Sequence, residues 1–272
     1  MKRCLFLLLA LYFSVASQAA TVDTVSIYSN SMKKEYKCVV IKPVMNQDET
    51  LPLPVVYLLH GYSGWYANWL LRVPELKTCA DLYGIMIVCP DGGFSSWYLD
   101  SPVDPNIRFE TYISKEVPEY IDSHYPTIRK RKGRAITGLS MGGHGGLWLG
   151  FRHAETFGAC GSMSGGVELR PFPRNWDLPL RLGDTLAHAD NWVNFSVSKA
   201  VETKPADSLA ILIDCGTEDF FYGVNHALHE KMLRLHIPHD YIERPGRHDW
   251  AYWRNAVQYQ LLFFSNYFKG KQ

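Results

Sequence analysis

The sequence predicts an α/β protein of one domain, with a mostly parallel central sheet flanked by helices. Short, continuous apolar runs alternate with segments of helical periodicity, which is typical of parallel strands covered on both faces. No internal repeat, low-complexity tract or interdomain linker interrupts the 272 residues, a length that suits one large α/β domain. Polar residues cluster directly after the apolar runs, where sheets of this kind bind their ligands.

The elements follow one another with short connections. Two β-rich runs separated by a polar turn predict an opening hairpin over residues 22–28 and 35–41. The strands expected after it cover residues 55–59, 85–88, 134–137, 157–163, 209–214 and 240–243. Helices are expected after residue 140 and over residues 74–83, 109–125, 221–236 and 250–268. Pro118 should kink its helix or mark its start. Residues 165–205 lose periodicity and are interpreted as an excursion, with short helices, over the ligand end of the sheet.

Composition narrows the possible partners. Hydrophobic residues make up 47% of the chain and charged residues 20%, which is ordinary for a globular protein. The formal net charge of +1 gives no indication of a nucleic-acid partner. The chain has 16 Tyr and 8 Trp residues, and because many of its aromatic residues fall in predicted loops, they indicate a ring-lined cleft.

The N-terminal segment has the pattern of a secretory signal peptide over residues 1–19. Lys2 and Arg3 precede an apolar stretch, and small residues before Ala20 offer a cleavage site. The stretch is too short for a membrane span, and Cys4 stands before it, so this cysteine is not placed for lipid attachment. We therefore expect a domain over residues 20–272 that is secreted or periplasmic and carries no membrane anchor.

Five cysteines follow this segment, and none belongs to a Cys-x-x-Cys pair. They are Cys38, Cys79, Cys89, Cys160 and Cys215. An odd number leaves at least one free thiol or an intermolecular bridge. Because most of them fall in or beside predicted strands, they are interpreted mainly as small buried hydrophobic residues, with one disulfide left open.

A candidate nucleophile lies in the Gly-x-Ser-x-Gly segment centred on Ser140. An apolar strand leads into this segment and a helix of small residues follows it, which is the context of a nucleophile elbow. Gly138 and Gly142 flank the serine because so tight a turn leaves little room for side chains. The turn lifts the hydroxyl clear of the sheet and directs the first helix amides towards a reacting group. Ser140 is therefore predicted to be a nucleophile.

A serine nucleophile needs a base, and the base needs an orienting carboxylate. In α/β-hydrolases these residues follow the serine in the order acid, then histidine. His248 lies between the last predicted strand and the last helix, where the base of this architecture belongs. Asp219 is favoured as the acid because it lies on a loop beyond a strand end. Glu218 is expected to face solvent, and Asp214, still within the strand, to make a structural contact.

Two backbone amides are predicted to hold the oxyanion that forms when the serine attacks a carbonyl. One is the N–H of Met141, which directly follows the nucleophile. The other comes from the loop after the strand that ends at Leu59, and we favour the N–H of Tyr62.

Aromatic residues on the predicted loops are the candidates for substrate binding. Trp65, Trp97 and Tyr98 are expected to line the cleft, with packing within the loops as the alternative.

The histidines at 226, 229, 236 and 239 are interpreted as surface residues, because no further ligand pattern completes a metal site. His144, in the first turn of the helix after the serine, is expected to pack or hydrogen-bond. No cofactor and no metal are predicted.

These motifs together resemble the Putative esterase family, to which esterase D and the tributyrin esterases belong. The resemblance spans residues 22–268 and rests on the segments 58–61, 96–102, 138–145 and 246–253. It implies an α/β-hydrolase fold and a carboxylesterase with Ser140 as nucleophile, Asp219 as acid and His248 as base. Acetylxylan esterases, feruloyl esterases and mycolyltransferases are relatives. The sequence departs from the pattern at Arg247, where relatives often carry a second glycine.

The resulting hypothesis is an exported serine carboxylesterase. Its expected partner is a small-molecule or oligosaccharide ester, with short-chain or aromatic acyl groups on sugars derived from plant polysaccharides, such as acetyl or feruloyl xylo-oligosaccharides. Two alternatives stay open: an acyltransferase to a sugar hydroxyl, and a non-catalytic carbohydrate-binding relative. The intact set of Ser140, Asp219 and His248 argues against the second. The predicted signal peptide argues against a cytosolic S-formylglutathione hydrolase.

Overall fold

Eight strands form the centre of the structure, a computed structural model that describes residues 19–44, 51–203 and 209–271. They are β1 (Thr21–Ser29), β2 (Lys34–Lys42), β3 (Val55–Leu59), β4 (Met86–Pro90), β5 (Arg134–Gly138), β6 (Ala159–Met163), β7 (Ala210–Gly216) and β8 (Asp240–Arg244). Their order in the sheet is β1-β2-β4-β3-β5-β6-β7-β8. The β1–β2 and β2–β4 pairs are antiparallel, and every other neighbouring pair is parallel. The predicted mostly parallel sheet and its opening hairpin are confirmed.

Helices connect the strands and cover both faces of the sheet. They are α1 (Asn68–Arg72), α2 (Leu76–Tyr83), α3 (Phe109–Thr111), α4 (Val117–His124), α5 (Met141–Arg152), α6 (Leu178–Leu182), α7 (Ala189–Asn194), α8 (Val197–Ala200), α9 (Tyr222–Arg234) and α10 (Trp250–Phe268). A π-helical segment (Tyr112–Glu116) joins α3 to α4, and a 3₁₀ turn (Arg131–Gly133) leads into β5.

The predicted helix over residues 109–125 is present, with an irregular centre. The π-helical segment ends immediately before α4, and Pro118 is one of the first residues of that helix. Proline has no N–H to donate to the carbonyl four residues earlier, here that of Ser114. The irregular segment accommodates this missing bond, so the chain continues as a helix instead of breaking.

The core has two layers, one on each face of the sheet. Alternate side chains of a strand point to opposite faces, so the continuous apolar run of β3 contributes to both layers. Tyr57 and Leu59 pack in the layer formed with α4, α5 and α9, and Val56 and Leu58 pack in the layer formed with α2 and α10. All five β3 residues are fully buried. This explains the absence of alternation in the sequence of the strand.

The predicted excursion contains the short helices α6, α7 and α8, and a partly buried carboxylate ties its two ends together. Glu168 accepts hydrogen bonds from the guanidinium of Arg170 at 2.7 and 2.8 Å, from the Ser198 hydroxyl at 2.5 Å and from the Ser196 hydroxyl at 3.2 Å. Burial opposes the charge, but the hydrogen bonds from Arg170 and Ser198 prevail and lower the pKa of Glu168 to about 2. The ionised carboxylate therefore stabilises this segment.

Glu168→Gln is expected to destabilise the protein by about 1–2 kcal/mol at neutral pH. The folded-state pKa lies below that of the unfolded chain, so the carboxylate contributes its full stability above about pH 4.5 and loses it as the pH falls towards about 2. Urea unfolding at several pH values checks this. The difference between variant and wild type should shrink from pH 6 to pH 3; a difference that stays constant would contradict the assignment.

The five cysteines after residue 19 are buried and have free thiols. Their interpretation as small core residues is confirmed, and the disulfide left open by the sequence is not formed among the described residues.

No helix in the described part of the chain has the length and apolar character needed to cross a membrane. Residues 1–18 lie outside the described residues, so the signal peptide over residues 1–19 stays a prediction.

Candidate active site

Ser140 lies in the sharp turn between β5 and α5. Its backbone has φ 54° and ψ −114°, a conformation that residues with side chains rarely adopt. Two backbone hydrogen bonds hold the turn: the Ser140 N–H donates to the Met163 carbonyl at 2.9 Å, and the Ser140 carbonyl accepts from the His144 N–H at 3.0 Å. The turn thereby fixes the hydroxyl at the carboxyl end of the central strands.

The two glycines of the turn are required by space. A Cβ on Gly138 would lie 2.6 Å from the carbonyl oxygens of Gly142 and Leu59. A Cβ on Gly142 would lie 2.6 Å from the carbonyl oxygens of Leu59 and His60. The turn therefore packs directly against the end of β3, and any larger residue at either position would push the serine away from it.

The structure brings the three predicted catalytic side chains into one hydrogen-bonded chain. His248 Nε2 lies 2.9 Å from Ser140 Oγ, and His248 Nδ1 lies 2.8 and 3.0 Å from the two carboxylate oxygens of Asp219. The Asp219 carboxylate is fully buried and also accepts from the Phe221 N–H at 2.8 Å. Because the carboxylate accepts the proton of Nδ1, Nε2 is the ring nitrogen that can take a proton from the serine.

Asp214, the first alternative acid, lies in a different network. Its buried carboxylate accepts a hydrogen bond from Arg244 at 2.9 Å and another from the Tyr252 hydroxyl. Burial raises the pKa of Asp214, against the opposing effect of these two partners. The residue therefore ties β7 to β8 and α10, as predicted, and does not contact His248.

Glu218, the second alternative acid, is half-exposed and forms an ion pair with Arg247 at 2.9 Å. The Glu218 N–H also donates to the Gly246 carbonyl at 2.9 Å, so the loop of the acid and the loop of the base are joined. Arg247 is the residue at which the sequence departs from the family pattern. Its exposed side chain reaches this neighbouring loop.

Two backbone amides near Ser140 are available as donors. The N–H groups of Tyr62 and Met141 make no hydrogen bond to any residue that the structure describes. Met141 is the first residue of α5, and N–H groups in the first turn of a helix have no partner within the helix. Tyr62 lines the same cavity as Ser140. The arrangement fits the predicted oxyanion site.

His60 fixes the loop that carries Tyr62. Its buried ring lies 2.8 Å from the Gly61 carbonyl through Nδ1 and accepts from the Gly92 N–H through Nε2 at 2.8 Å. Burial lowers the pKa of His60, which favours the neutral ring that can both donate and accept. The Tyr98 hydroxyl donates to the His60 carbonyl at 2.9 Å. His60 is therefore a positioning residue.

Ser140 and His248 open into a cavity of about 460 Å³. The cavity is rich in aromatic side chains and in loop residues between β3 and α1. Its lining residues are Gly61, Tyr62, Ser63, Gly64, Asn68, Arg72, Leu139, Ser140, Trp176, Phe220, His248, Trp250 and Trp253. A second cavity of similar size is lined by a separate set of residues that includes Glu110 and Arg134.

The prediction that Trp97 and Tyr98 line the cleft is wrong. Their side chains are 1% and 0% exposed, because two consecutive residues with φ of 54° and 59° turn this loop into the core. Trp97 Nε1 donates to the Trp176 carbonyl at 3.1 Å, and Tyr98 holds the His60 carbonyl. Both residues thus support the walls of the cavity from behind. The packing alternative applies to them.

Trp65 lies at the edge of the cavity. Its side chain is 43% exposed and packs edge-on against Tyr66, with ring centroids 4.9 Å apart. Its backbone N–H donates to Asn68 Oδ1 at 2.7 Å, and Asn68 belongs to the lining. Trp65 itself is not a lining residue, so its role in substrate binding stays a prediction.

Four aromatic side chains that line the cavity were not predicted to do so: Trp176, Phe220, Trp250 and Trp253. Phe220 packs on the imidazole of His248 with centroids 4.1 Å apart, and Trp176 stacks almost parallel on Phe220 at 5.6 Å. Trp253 contacts the imidazole edge-on at 4.8 Å. Proximity in sequence could have indicated three of them, because Phe220 follows Asp219 and the two tryptophans of α10 lie close to His248.

Of the histidines at 226, 229, 236 and 239, His236 is exposed and the other three have side-chain partners. His226 lies 2.8 Å from Glu243, and the rings of His229 and His239 are 2.8 Å apart at their nearest nitrogens. The described residues contain no group of three or more metal-ligating side chains arranged to hold a metal ion. His144 is fully buried, with its ring nitrogens 3.0 Å from two backbone carbonyls, and burial lowers its pKa to about 4. It packs and hydrogen-bonds as predicted.

The chain is similar in sequence to known esterases. A family model described as "Putative esterase" matches residues 29–264. The chain belongs to this family. Among its relatives, the acetyl esterase of Caldicellulosiruptor saccharolyticus is 28% identical over 255 residues, which cover 86% of this chain and 94% of that protein.

Solved structures extend the comparison to the fold. A ferulic acid esterase is 29% identical, with a TM-score of 0.77 and coverage of 91% of this chain and 99% of the other. FphF, a fluorophosphonate-binding serine hydrolase of Staphylococcus aureus, is 22% identical, with a TM-score of 0.81 and coverage of 92% and 100%. The predicted family and α/β-hydrolase fold are confirmed, and the protein is an ester hydrolase.

Proposed function

We propose that this esterase is exported and cleaves short-chain or aromatic acyl esters of sugars, with Ser140, His248 and Asp219 as its catalytic triad. The observation that carries the proposal is the hydrogen-bonded chain of these residues opening into an aromatic cavity. Such a chain provides a nucleophile, a base and an orienting carboxylate in the relative positions that acyl transfer requires.

Acylation begins when His248 Nε2 takes the proton of the Ser140 hydroxyl as Oγ attacks the ester carbonyl. The carbonyl oxygen becomes an anion, which the N–H groups of Tyr62 and Met141 stabilise. The imidazolium is stabilised by Asp219, which does not itself take up a proton. When the tetrahedral intermediate collapses, the bond to the alcohol oxygen breaks, and this oxygen receives the proton from Nε2.

Deacylation repeats these steps with water. His248 takes a proton from a water molecule while its oxygen attacks the acyl carbon bound to Ser140. The second tetrahedral intermediate collapses by breaking the bond to Oγ, which regains the proton from Nε2. The products are a carboxylic acid and the alcohol, and the enzyme returns to its starting protonation state.

The substrate class rests on the cavity walls and on the relatives. Flat aromatic faces suit a sugar ring or an aromatic acyl group, and Trp176, Phe220 and Trp250 offer such faces beside the catalytic chain. The acetyl esterase and the ferulic acid esterase support small and aromatic acyl groups. Plant-polysaccharide fragments that carry acetyl or feruloyl groups, such as substituted xylo-oligosaccharides, combine both features.

Steady-state kinetics on two substrate sets test this proposal. One set holds p-nitrophenyl esters with acyl chains from C2 to C12, and the other holds acetylated and feruloylated xylo-oligosaccharides. We expect activity on the short p-nitrophenyl esters and a higher kcat/KM on the oligosaccharides. If kcat/KM climbs steadily beyond C8 while the oligosaccharides are not cleaved, the enzyme is a lipid esterase and the proposed substrate class is wrong.

Phe220→Ala is expected to lower kcat/KM for the oligosaccharide esters about tenfold more than for p-nitrophenyl acetate. Only the larger substrate can use the exposed ring in its transition state, whereas loss of the contact with His248 would affect both substrates alike. Leu186→Ala is a matched control because its side chain is 94% exposed and lies outside the cavity lining. Equal losses on both substrates would assign Phe220 to positioning of the base.

Acyl transfer to a sugar hydroxyl is the second candidate, because the aromatic faces that suit a sugar substrate also suit a sugar acceptor. Product analysis with and without added xylobiose separates the two reactions. Acylated xylobiose formed in preference to free acid would favour the transferase.

The export proposal rests on Lys2, Arg3 and the apolar stretch after them. N-terminal sequencing of the mature protein tests it, with Ala20 as the expected first residue.

A further inference from the structure

The candidate active-site cavity has an uncompensated positive charge in its wall. Arg72 is the one lining side chain with a permanent charge, and no Asp or Glu is among the lining residues drawn from the described chain. The Asp219 carboxylate lies behind His248, fully buried and engaged by its imidazole. The carboxylate of Asp177, which neighbours Trp176, lies within 3.4 Å of the Tyr62 hydroxyl and also stands outside the lining.

Arg72 has no acidic partner in the described part of the chain. No ion pair or hydrogen bond joins its guanidinium to any side chain there. Glu75, the nearest acid along the chain, is engaged by Arg254. The Arg72 side chain is exposed, and a guanidinium presents five donors in a fixed fork that matches the geometry of a carboxylate. The donors of Arg72 are therefore available to a ligand.

The position of the guanidinium is defined by aromatic packing. Its central carbon lies 5.8 Å from the centre of the Trp250 ring, within the range of a cation–π contact. Trp250 packs edge-on against Trp69 at 5.2 Å and against Trp253 at 5.5 Å, and Trp253 contacts His248. Arg72 thus stands at the end of an aromatic row that begins at the proposed base.

We propose that Arg72 binds an anionic group of the substrate, so that the preferred esters carry a carboxylate on the acyl or the alcohol side. This inference rests on the proposed function and narrows its substrate class. A guanidinium binds a carboxylate through two parallel hydrogen bonds, and in a cavity without competing acids this interaction is not neutralised by the wall. On a polysaccharide fragment, an acidic sugar next to the ester would supply the group.

The alternative is that Arg72 only packs on Trp250 and meets solvent. The two roles differ in charge dependence. A packing role would affect esters of equal size equally, whatever their charge. A binding role would separate an anionic ester from its neutral counterpart, and salt would weaken that separation.

Two matched substrate pairs measure the difference, one for each side of the ester. The alcohol-side pair is 3-acetoxybenzoate and 3-acetoxybenzamide; the acyl-side pair is the 4-nitrophenyl monoester of adipic acid and its terminal amide. In the wild type we expect the anionic member of at least one pair to have a kcat/KM about five- to tenfold higher. The pair that shows the preference identifies which side carries the anion.

Variants then assign the preference to Arg72. Arg72→Gln should bring the ratio of anionic to neutral kcat/KM close to one, and Arg72→Lys should keep part of it. Arg234→Gln is the matched control, because this exposed arginine ends α9 and does not line the cavity; it should keep the wild-type ratio. Sodium chloride at 0.5 M should reduce the preference in the wild type, in Arg72→Lys and in Arg234→Gln, and should leave the ratio of Arg72→Gln unchanged.

The outcomes separate this inference from the proposed function. If the wild type cleaves neutral esters but shows no preference for either anionic member, or if Arg72→Gln keeps the preference, the inference is wrong and the esterase proposal stands. If the wild type cleaves none of the four esters and no p-nitrophenyl acetate, both the inference about Arg72 and the proposed function are contradicted.

Discussion

Ser140→Ala and His248→Ala are each expected to lower kcat by about four orders of magnitude or more, and the double variant should be little worse than either. In the proposed mechanism the hydroxyl attacks only while the imidazole 2.9 Å away takes its proton. Once either residue is removed, the proton transfer from Ser140 to His248 cannot occur, so removing the second residue costs little more. Kinetics on p-nitrophenyl acetate, with active-site titration of the wild type, measure the three losses.

Thermal unfolding is the control for this experiment. Both side chains lie at the cavity, so each variant should unfold within a few degrees of the wild type. If the two penalties multiplied in the double variant, the residues would act independently and the proposed triad would be contradicted. A kcat unaffected by His248→Ala would exclude this histidine as the base.

Asp219→Asn is expected to lower kcat about a thousandfold or more. An amide at this position can present its NH₂ group to Nδ1, which favours the tautomer with the proton on Nε2. That proton would occupy the nitrogen that must accept from Ser140. The same rate assay measures the loss, and the temperature of unfolding shows whether the fold persists.

Asp214→Asn is the matched control for this substitution. Asp214 is, like Asp219, a buried aspartate near the C-terminal end of β7, but its partners are Arg244 and Tyr252. We expect kcat to stay within a few-fold of the wild type and the unfolding temperature to fall, because the change leaves Arg244 without its buried counter-charge. The reverse pattern, with Asp214→Asn inactive and Asp219→Asn active, would contradict the choice of acid.

The sequence indicated the elbow, the acid and the base because each depends on local chain chemistry. Gly138 and Gly142 are needed where the turn meets β3. Asp219 follows a strand with a continuous apolar run, and His248 lies between the last strand and the last helix. The carboxyl ends of parallel strands lie at one edge of the sheet, so their order alone predicts that these loops meet. The structure places the three side chains within hydrogen-bond distance.

The residues that line the cavity were harder to predict from the sequence. Trp97 and Tyr98 belong to a segment without regular structure, and nothing in their residue types reveals the positive φ angles that turn them inward. Trp176 comes from the excursion, whose path over the sheet depends on tertiary contacts such as those of Glu168. Arg72 ends a five-residue helix that periodicity could not indicate, because so short an element spans little more than one turn.

The central claim is that Ser140 is a nucleophile activated by His248, and labelling with a fluorophosphonate followed by peptide mass spectrometry tests it most directly. The reagent transfers its phosphonyl group to activated serines. The account predicts one adduct in the wild type, on the peptide that contains Ser140, no adduct in Ser140→Ala and strongly slowed labelling in His248→Ala. An adduct on a different serine, or labelling of Ser140 at the wild-type rate in His248→Ala, would contradict it.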